Sequence, residues 1–276
     1  MQDTEHRGLA RIRRLRPVRV STWTKDRHEE RAALARPQDA GFLAASYNIH
    51  KAVGRDGRFA PARIVEVIAE LGADIVALQE ADKRFGERAG LLDLAALQER
   101  TGLVPVPVRG KGHGWHGNCV LFRNGEVTET REIVLPGVEP RGALVVDIAL
   151  PAGEVRIIGA HLGLLRHSRS RQVEALIAAS RPADGRPVFL MGDFNEWRLG
   201  KRSALQGLAP QFGPLQAAIP SFPARFPLLA LDRIVSYPSD LIEAVELHDT
   251  PLARMASDHL PIKARIHLPR PESASR

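Results

Sequence analysis

Asp193 and Asn195 stand two positions apart in the stretch VFLMGDFNEW, residues 188–197, and set a charged oxygen acceptor beside a neutral amide. In an extended segment side chains two apart point the same way, so the pair suits a divalent metal, a phosphate and an attacking water. Glu80, Asp232 and Asp258 are further carboxylates at the ends of apolar runs, and Asn48, His161 and His259 occupy similar places. Four carboxylates gathered without a counter-charge are costly. Hard oxygen ligands of this kind suit Mg2+, or Mn2+, with waters completing the shell, and no Cys or His cluster has zinc spacing. Taken singly, an acid at a strand end is ordinary turn chemistry; its recurrence at several strand ends, beside two histidines, points to a site.

The elements that must position these residues can be read from hydrophobic period and turn signals. A strand at 42–49 ends at Asn48, and the loop after it carries the Asp56-Gly57 turn signal. Pro61 opens a helix in which Ile64, Val65, Ile68 and Leu71 recur at helical spacing, and Gly72 closes it. A buried strand over 74–80 ends in Glu80, and 91–100 reads as a second helix. Strands near 103–108, 118–123, 126–135, 142–150 and 154–160 follow with no helix-length segment between them, which predicts antiparallel pairing. A helix over 168–180 precedes the strand Val188 to Met191, after which Gly192 is expected to free the chain to turn. A Pro-rich connection over 210–227 leads to strands at 231–236, 241–247 and 260–266. Asn48, Glu80, His161 and Asp193 follow their strands, whereas Asp232, Asp258 and His259 precede theirs. A shared site therefore requires the late strands to oppose the early ones, giving mixed sheets packed on each other with helices outside rather than a parallel doubly wound sheet.

Six segments in order, Tyr47-Asn48-Ile49, Leu78-Gln79-Glu80, His161-Leu162-Gly163, Gly192-Asp193-Phe194-Asn195, Leu231-Asp232-Arg233-Ile234 and Ser257-Asp258-His259-Leu260-Pro261, resemble the endonuclease/exonuclease/phosphatase superfamily over about residues 42–268. The resemblance implies a DNase I-like α/β fold, a four-layer sandwich of two packed mixed sheets flanked by helices, with the active site on one edge. It also implies roles. Glu80 would hold the metal, assisted by Asn48 and Asp258; His259, oriented by Asp232, would act on the phosphate as a base or as a stabiliser of developing charge. Asp193 would position or deprotonate the attacking water, Asn195 would hydrogen-bond a phosphate oxygen, and His161 is the candidate general acid. His161 stands where AP endonucleases typically have tyrosine, which argues against a close assignment to that group. Arg141 resembles a phosphate-contacting position, with a surface ion pair as the alternative reading, and the loop of residues 110–118 either lines the site through Asn118 or His116 or is for the most part a mobile connection. Arg166, Arg169 and Arg171, at the start of a helix, are candidate substrate contacts, with a solvated basic turn as the alternative, while His50 and His167 read as ordinary polar residues.

The reaction so implied is metal-dependent hydrolysis of phosphodiesters, with nucleic acid the favoured substrate. The alternatives are a phospholipid hydrolase of the sphingomyelinase kind, an inositol-phosphate phosphoesterase and an inactive phosphate-binding module. Of the net charge of +7 on 276 residues, residues 1–36 supply +5, with ten Lys and Arg against five Asp and Glu, so the body of the protein is nearly neutral. Residues 1–40 are expected to be a basic, flexible arm able to meet nucleic acid or an anionic membrane, 41–268 the catalytic domain, and 269–276 a disordered tail. No run reaches the length of a membrane span, and no secretory signal is recognisable. The single cysteine, Cys119, lies in an apolar run and fits a reducing, cytoplasmic setting. The chain is expected to act as a monomer.

Overall fold

Side-chain alternation along the apolar strands decides the layering. The computed structural model describes residues 41–83, 88–109, 112–181, 185–213, 215 and 219–268; the expected arm of residues 1–40 and tail of 269–276 lie outside them. In chain order the described strands are β1 (Gly41–Asn48), β2 (Ile75–Gln79), β3 (Val104–Pro105), β4 (Cys119–Phe122), β5 (Glu126–Leu135), β6 (Arg141–Leu150), β7 (Gly153–His161), β8 (Val188–Asp193), β9 (Asp232–Tyr237), β10 (Ile242–Leu247) and β11 (Ile262–His267). The helices are α1 (Pro61–Leu71), α2 (Leu94–Thr101), α3 (Arg166–Ala179), α4 (Ala209–Phe212) and α5 (Pro251–Ala256). One sheet has the order β10-β11-β1-β2-β4-β3 and the other β5-β6-β7-β8-β9.

Both sheets are mixed, as the positions of the polar residues require. β1 pairs parallel with β2 and antiparallel with β11; β7 pairs parallel with β8, which pairs antiparallel with β9. Phe42, Ala44, Ile75 and Ala77 of the first sheet meet Ile157, Phe189 and Met191 of the second in a shared core. The alternate residues face outward, Ala45, Tyr47 and Leu78 onto α1, α2 and α5, and Val145, Ile158 and Leu190 onto α3 and α4. With both faces covered, these strands read as near-continuous apolar runs.

The helices follow their local signals. α1 carries Pro61 at its start and a left-handed Gly72 at its end, with Ile64, Val65, Ile68 and Leu71 on its buried face. α2 starts later than expected because the Asp93 side chain accepts from the backbone N–H groups of Ala95 and Ala96, making it the N-cap. The strand run between 103 and 160 departs from expectation at one point. Only Arg123, Asn124 and Gly125 separate β4 from β5, yet the two belong to different sheets. Arg123 explains the break: its guanidinium pairs with Asp74 at 3.0 Å, and its N–H donates to the Asp74 carbonyl. This holds the end of β4 to the first sheet while β5 crosses to β6.

Gly192 also acts differently from expectation. β8 continues through it to Asp193, and a Cβ at this position would lie 1.8 Å from the carbonyl oxygen of Ala160. Its requirement is close strand approach, not a turn. Cys119 is buried, and burial pushes its thiol up to about 12. Native protein at about pH 8 should therefore resist alkylation by iodoacetamide and become labelled only on unfolding; mass-spectrometric labelling of the folded chain would contradict this.

Candidate active site

The same period of two that builds the inter-sheet core places the chemistry at its rim. One step beyond Met191 the inward side is Asp193; beyond Ile157 and Gly159 it is His161; before Ile234 it is Asp232; and beyond Ser46 it is Asn48. Asp193 pairs directly with His161 on one side and Asp232 on the other. Three polar side chains thus stand in a row across the second sheet and face the end of the first. Asn48 crosses the gap, its amide donating to Asp193 Oδ2 at 2.9 Å.

Asp193 is the junction of this group and is almost fully buried. Its Oδ1 accepts from the backbone N–H of Asn195 at 2.9 Å, and its Oδ2 lies 3.4 Å from His161 Nε2 and 3.7 Å from His259 Nε2. Asn195 has φ +50, so it reaches the site by a left-handed kink and not by the extended alternation expected of it. Its side-chain amide donates to the Leu162 carbonyl at 2.9 Å and lies 3.1 Å from His161 Nε2.

His259 is held from behind. Its Nδ1 is 2.9 Å from Asp232 Oδ2, the same oxygen receives the Ser221 hydroxyl at 2.5 Å, and the Phe222 ring lies 4.8 Å away, centroid to centroid. Burial pulls the His259 ring down, but Asp232 and Asp193, aided by the Asp232 hydrogen bond, overcome it and hold it at about 10. His161 goes the other way: burial, outweighing Asp193 and helped by Arg141, lowers it to about 3. In the free site the protonated ring is therefore His259, and His161 is neutral. For His161 to act as the expected general acid, an anion entering beside it must first raise the ring.

The end of the first sheet supplies the remaining groups. Glu80 follows β2 with φ +56 and forms an ion pair with Lys51 at 2.7 Å. Asp258 is tied in through Ser257, whose hydroxyl donates to the Asn48 carbonyl at 2.7 Å, and lies 3.9 Å from His50 Nδ1. Glu80 Oε2 is the oxygen that Lys51 holds, so a hard cation at this carboxylate would share it with, or displace, that ammonium. Among the described residues no three of His, Cys, Asp and Glu form a metal-ligating group; Mg2+ is commonly held by one or two carboxylates with waters, which Glu80 and Asp258, with the amide oxygen of Asn48, can provide.

Arg141 lines the same cleft as Lys51, Glu80, His116 and His161. Two of its nitrogens grip Glu139 Oε2 at 2.8 and 3.1 Å, and Nη1 is 3.0 Å from the His161 ring. Asn118 is adjacent but committed: its side-chain amide donates to the carbonyls of Gly142 at 2.9 Å and Trp115 at 3.1 Å. It braces the two sheets and has no donor left for a phosphate, contrary to its expected role. Arg169 is likewise displaced from its expected place among substrate contacts. It is buried against Glu196 at 3.2 Å and donates to the carbonyls of Gly163 and Leu164.

Lys51, Glu196 and Ser221 are the residues that sequence reasoning missed. Lys51 directly follows the Asn48 segment and Glu196 directly follows Asn195, so motif adjacency was the available signal; Ser221, in the Pro-rich connection, offered none. Glu196 accepts from the N–H groups of Arg198 and Ala204 at 3.0 Å each, so with Arg169 it clamps the loops after His161 and Asn195. Replacing Arg169 with methionine should take the buried cation from Glu196, leaving it the N–H groups of Arg198 and Ala204 and the Arg198 guanidinium at 3.5 Å, and cost about 1–3 kcal/mol, read as a lower urea midpoint; an unchanged midpoint would show that the clamp contributes nothing.

Two packed mixed sheets with a carboxylate, amide and imidazole cluster at one rim define a DNase I-like phosphoester hydrolase. The chain belongs to the endonuclease/exonuclease/phosphatase family, whose model matches residues 45–259. It is 31% identical to "Uncharacterized protein YbhP" of Escherichia coli strain K12, over 84% of this chain and 98% of that protein. Among solved structures, an endonuclease/exonuclease/phosphatase from Beutenbergia cavernae is similar at 21% identity and TM-score 0.63, covering 83% of this chain and 72% of its own. A mannosyl-6-phosphatase of Bacteroides thetaiotaomicron is similar at 17% identity and TM-score 0.60, over 81% and 98%.

Proposed function

We propose that the chain is a Mg2+-dependent phosphodiesterase in which water attacks phosphorus in line with the leaving oxygen. The observation that carries the reading is Asp193, a buried carboxylate within 3.4 Å of His161 and 3.7 Å of His259 and fixed by Asn48 and Asn195. Glu80, Asn48 and Asp258 would hold Mg2+, which would supply charge neutralisation at the phosphate. Asp193 orients the water and takes its proton. His259, charged and backed by Asp232, binds the phosphate and stabilises the charge that develops on it. Asn195 and Arg141 would reach further phosphate oxygens by exchanging present partners, the Leu162 carbonyl and His161 for Asn195 and Glu139 and the His161 ring for Arg141. A substrate anion beside His161 raises that ring and lets it protonate the leaving oxygen.

Nucleic acid is the first substrate class to test, on the strength of His161 and Arg141 lying together in the cleft. The test is a panel of plasmid DNA, RNA, vesicle phospholipid, inositol phosphates and the diester bis(p-nitrophenyl) phosphate, each with Mg2+ and with EDTA. The monoester p-nitrophenyl phosphate belongs in the panel because one structural neighbour is a mannosyl-6-phosphatase. Diester cleavage with Mg2+ and none with EDTA is expected. Cleavage of monoesters alone would overturn the diesterase assignment.

A further inference from the structure

Eleven large apolar side chains are exposed among the described residues, and all but Tyr237 and Met255 lie on loops or strand ends at the end of the sandwich that carries the site. Leu164 and Leu165 follow His161, Trp197 and Leu199 follow Asn195, and Phe226 and Leu228 precede Asp232; these six are between 51% and 75% exposed. The loops are joined to one another. Arg169 binds the Leu164 carbonyl and Glu196, Arg166 binds the Arg202 carbonyl at 3.1 Å, and Arg233 reaches the Glu196 carbonyl at 3.3 Å. Exposed leucines concentrated on one rim are not the scattered apolar surface of an ordinary protein.

Charge on these loops is one-sided. Residues 164–167, 197–203 and 224–228 contain Arg166, Arg198, Lys201, Arg202 and Arg225 and no Asp or Glu, on a body that is otherwise nearly neutral. Arg198 lies over the Trp197 ring at 4.7 Å and Arg225 over the Phe226 ring at 5.4 Å, so each exposed aromatic is presented together with a cation.

We propose that this rim docks on an anionic lipid bilayer, with leucines entering the acyl boundary, Trp197 and Phe226 at headgroup depth, and arginines on lipid phosphates. A single-stranded nucleic acid fits the rim less well. Strand-gripping surfaces stack bases on aromatic faces, whereas four of the six residues are leucines and both aromatic rings are already covered by guanidinium groups. The docking stands apart from the reaction; that it brings headgroup phosphodiesters to Asp193 rests on the reading proposed above.

The full chain, in EDTA so that no turnover occurs, is to be floated with phosphatidylcholine vesicles with and without phosphatidylserine, and compared with the Leu164→Ser/Leu165→Ser/Leu199→Ser variant and with Arg198→Gln. Binding to the anionic vesicles is expected, reduced at least about tenfold in the triple variant and about fivefold in Arg198→Gln. Hydrolysis of bis(p-nitrophenyl) phosphate should be unchanged in both variants. A second readout is a blue shift of Trp emission on vesicle addition that Trp197→Phe removes. Vesicle binding that is equal in wild type and triple variant, as the basic N-terminal residues alone would give, overturns the proposal, as does loss of oligonucleotide binding in the triple variant with no vesicle binding in wild type. Vesicle binding lost in the triple variant from a chain that hydrolyses no phosphoester would sustain the docking and sink only the reaction.

Discussion

Asp193→Asn should abolish diester turnover, with a fall of at least about a thousandfold, while the chain stays folded. The substitution keeps the shape of the side chain and removes its charge. In the native site Oδ1 accepts from the Asn195 N–H and Oδ2 from the Asn48 amide, each at 2.9 Å. An asparagine has one oxygen for these two donors, so one bond is lost and two donor groups face each other, a cost of about 1–3 kcal/mol. The chemical loss is larger because His259 gives up a carboxylate neighbour and the water its proton acceptor. Steady-state kinetics with Mg2+, together with a urea titration, separates the two. Retention of more than about a tenth of wild-type turnover would remove Asp193 from the reaction.

Asp232→Asn is expected to lower turnover about a hundred- to ten-thousandfold, through His259. Asp232 is the largest influence holding that ring charged against the pull of burial. The same coupling governs stability. In the folded chain His259 sits at about 10, above its ordinary 6.5, so its contribution is complete below about pH 6.5 and is lost as pH rises toward 10. His161, depressed to about 3, acts on the other side: the unfolded chain takes up a proton below about pH 6.5 that the folded chain refuses, and stability falls as pH falls. The metal-free protein in EDTA should thus show a urea midpoint that declines from about pH 6.5 to 9, and Asp232→Asn should flatten that decline while leaving the acid limb in place. An identical alkaline slope in wild type and variant would mean Asp232 does not hold the His259 proton.

The row of Asn48, His161, Asp193 and Asp232 was legible before any coordinates because alternation along an apolar strand is a one-dimensional signal. Which strand end bears the polar residue then fixes the relative direction of the strands. The reversed sense of β9 and β11 follows from Asp232 and His259 preceding their strands, and the sheets pair accordingly. What depends on packing in three dimensions was not legible. The three-residue gap after Phe122 has the composition of a hairpin, and only the Arg123 to Asp74 contact shows that the chain changes sheets there. Gly192 looks like a turn signal, but its freedom is consumed by the nearby Ala160 carbonyl. Arg169 and Asn118 have the residue types of phosphate contacts, but both are engaged inside the protein, Arg169 through its two terminal nitrogens and Asn118 through its amide. The charge states of the two histidines were also hidden, since they depend on Asp232 and Asp193 outweighing burial at one ring and failing to do so at the other.

The convergence of these groups on water and phosphorus is tested most directly by turnover of a diester in isotopically labelled water with Mg2+ present. Attack on phosphorus predicts one labelled oxygen in the phosphoryl product of every turnover and none in the released alcohol, with no product formed by Asp193→Asn. Label in the alcohol, or equal turnover by the variant, would contradict it.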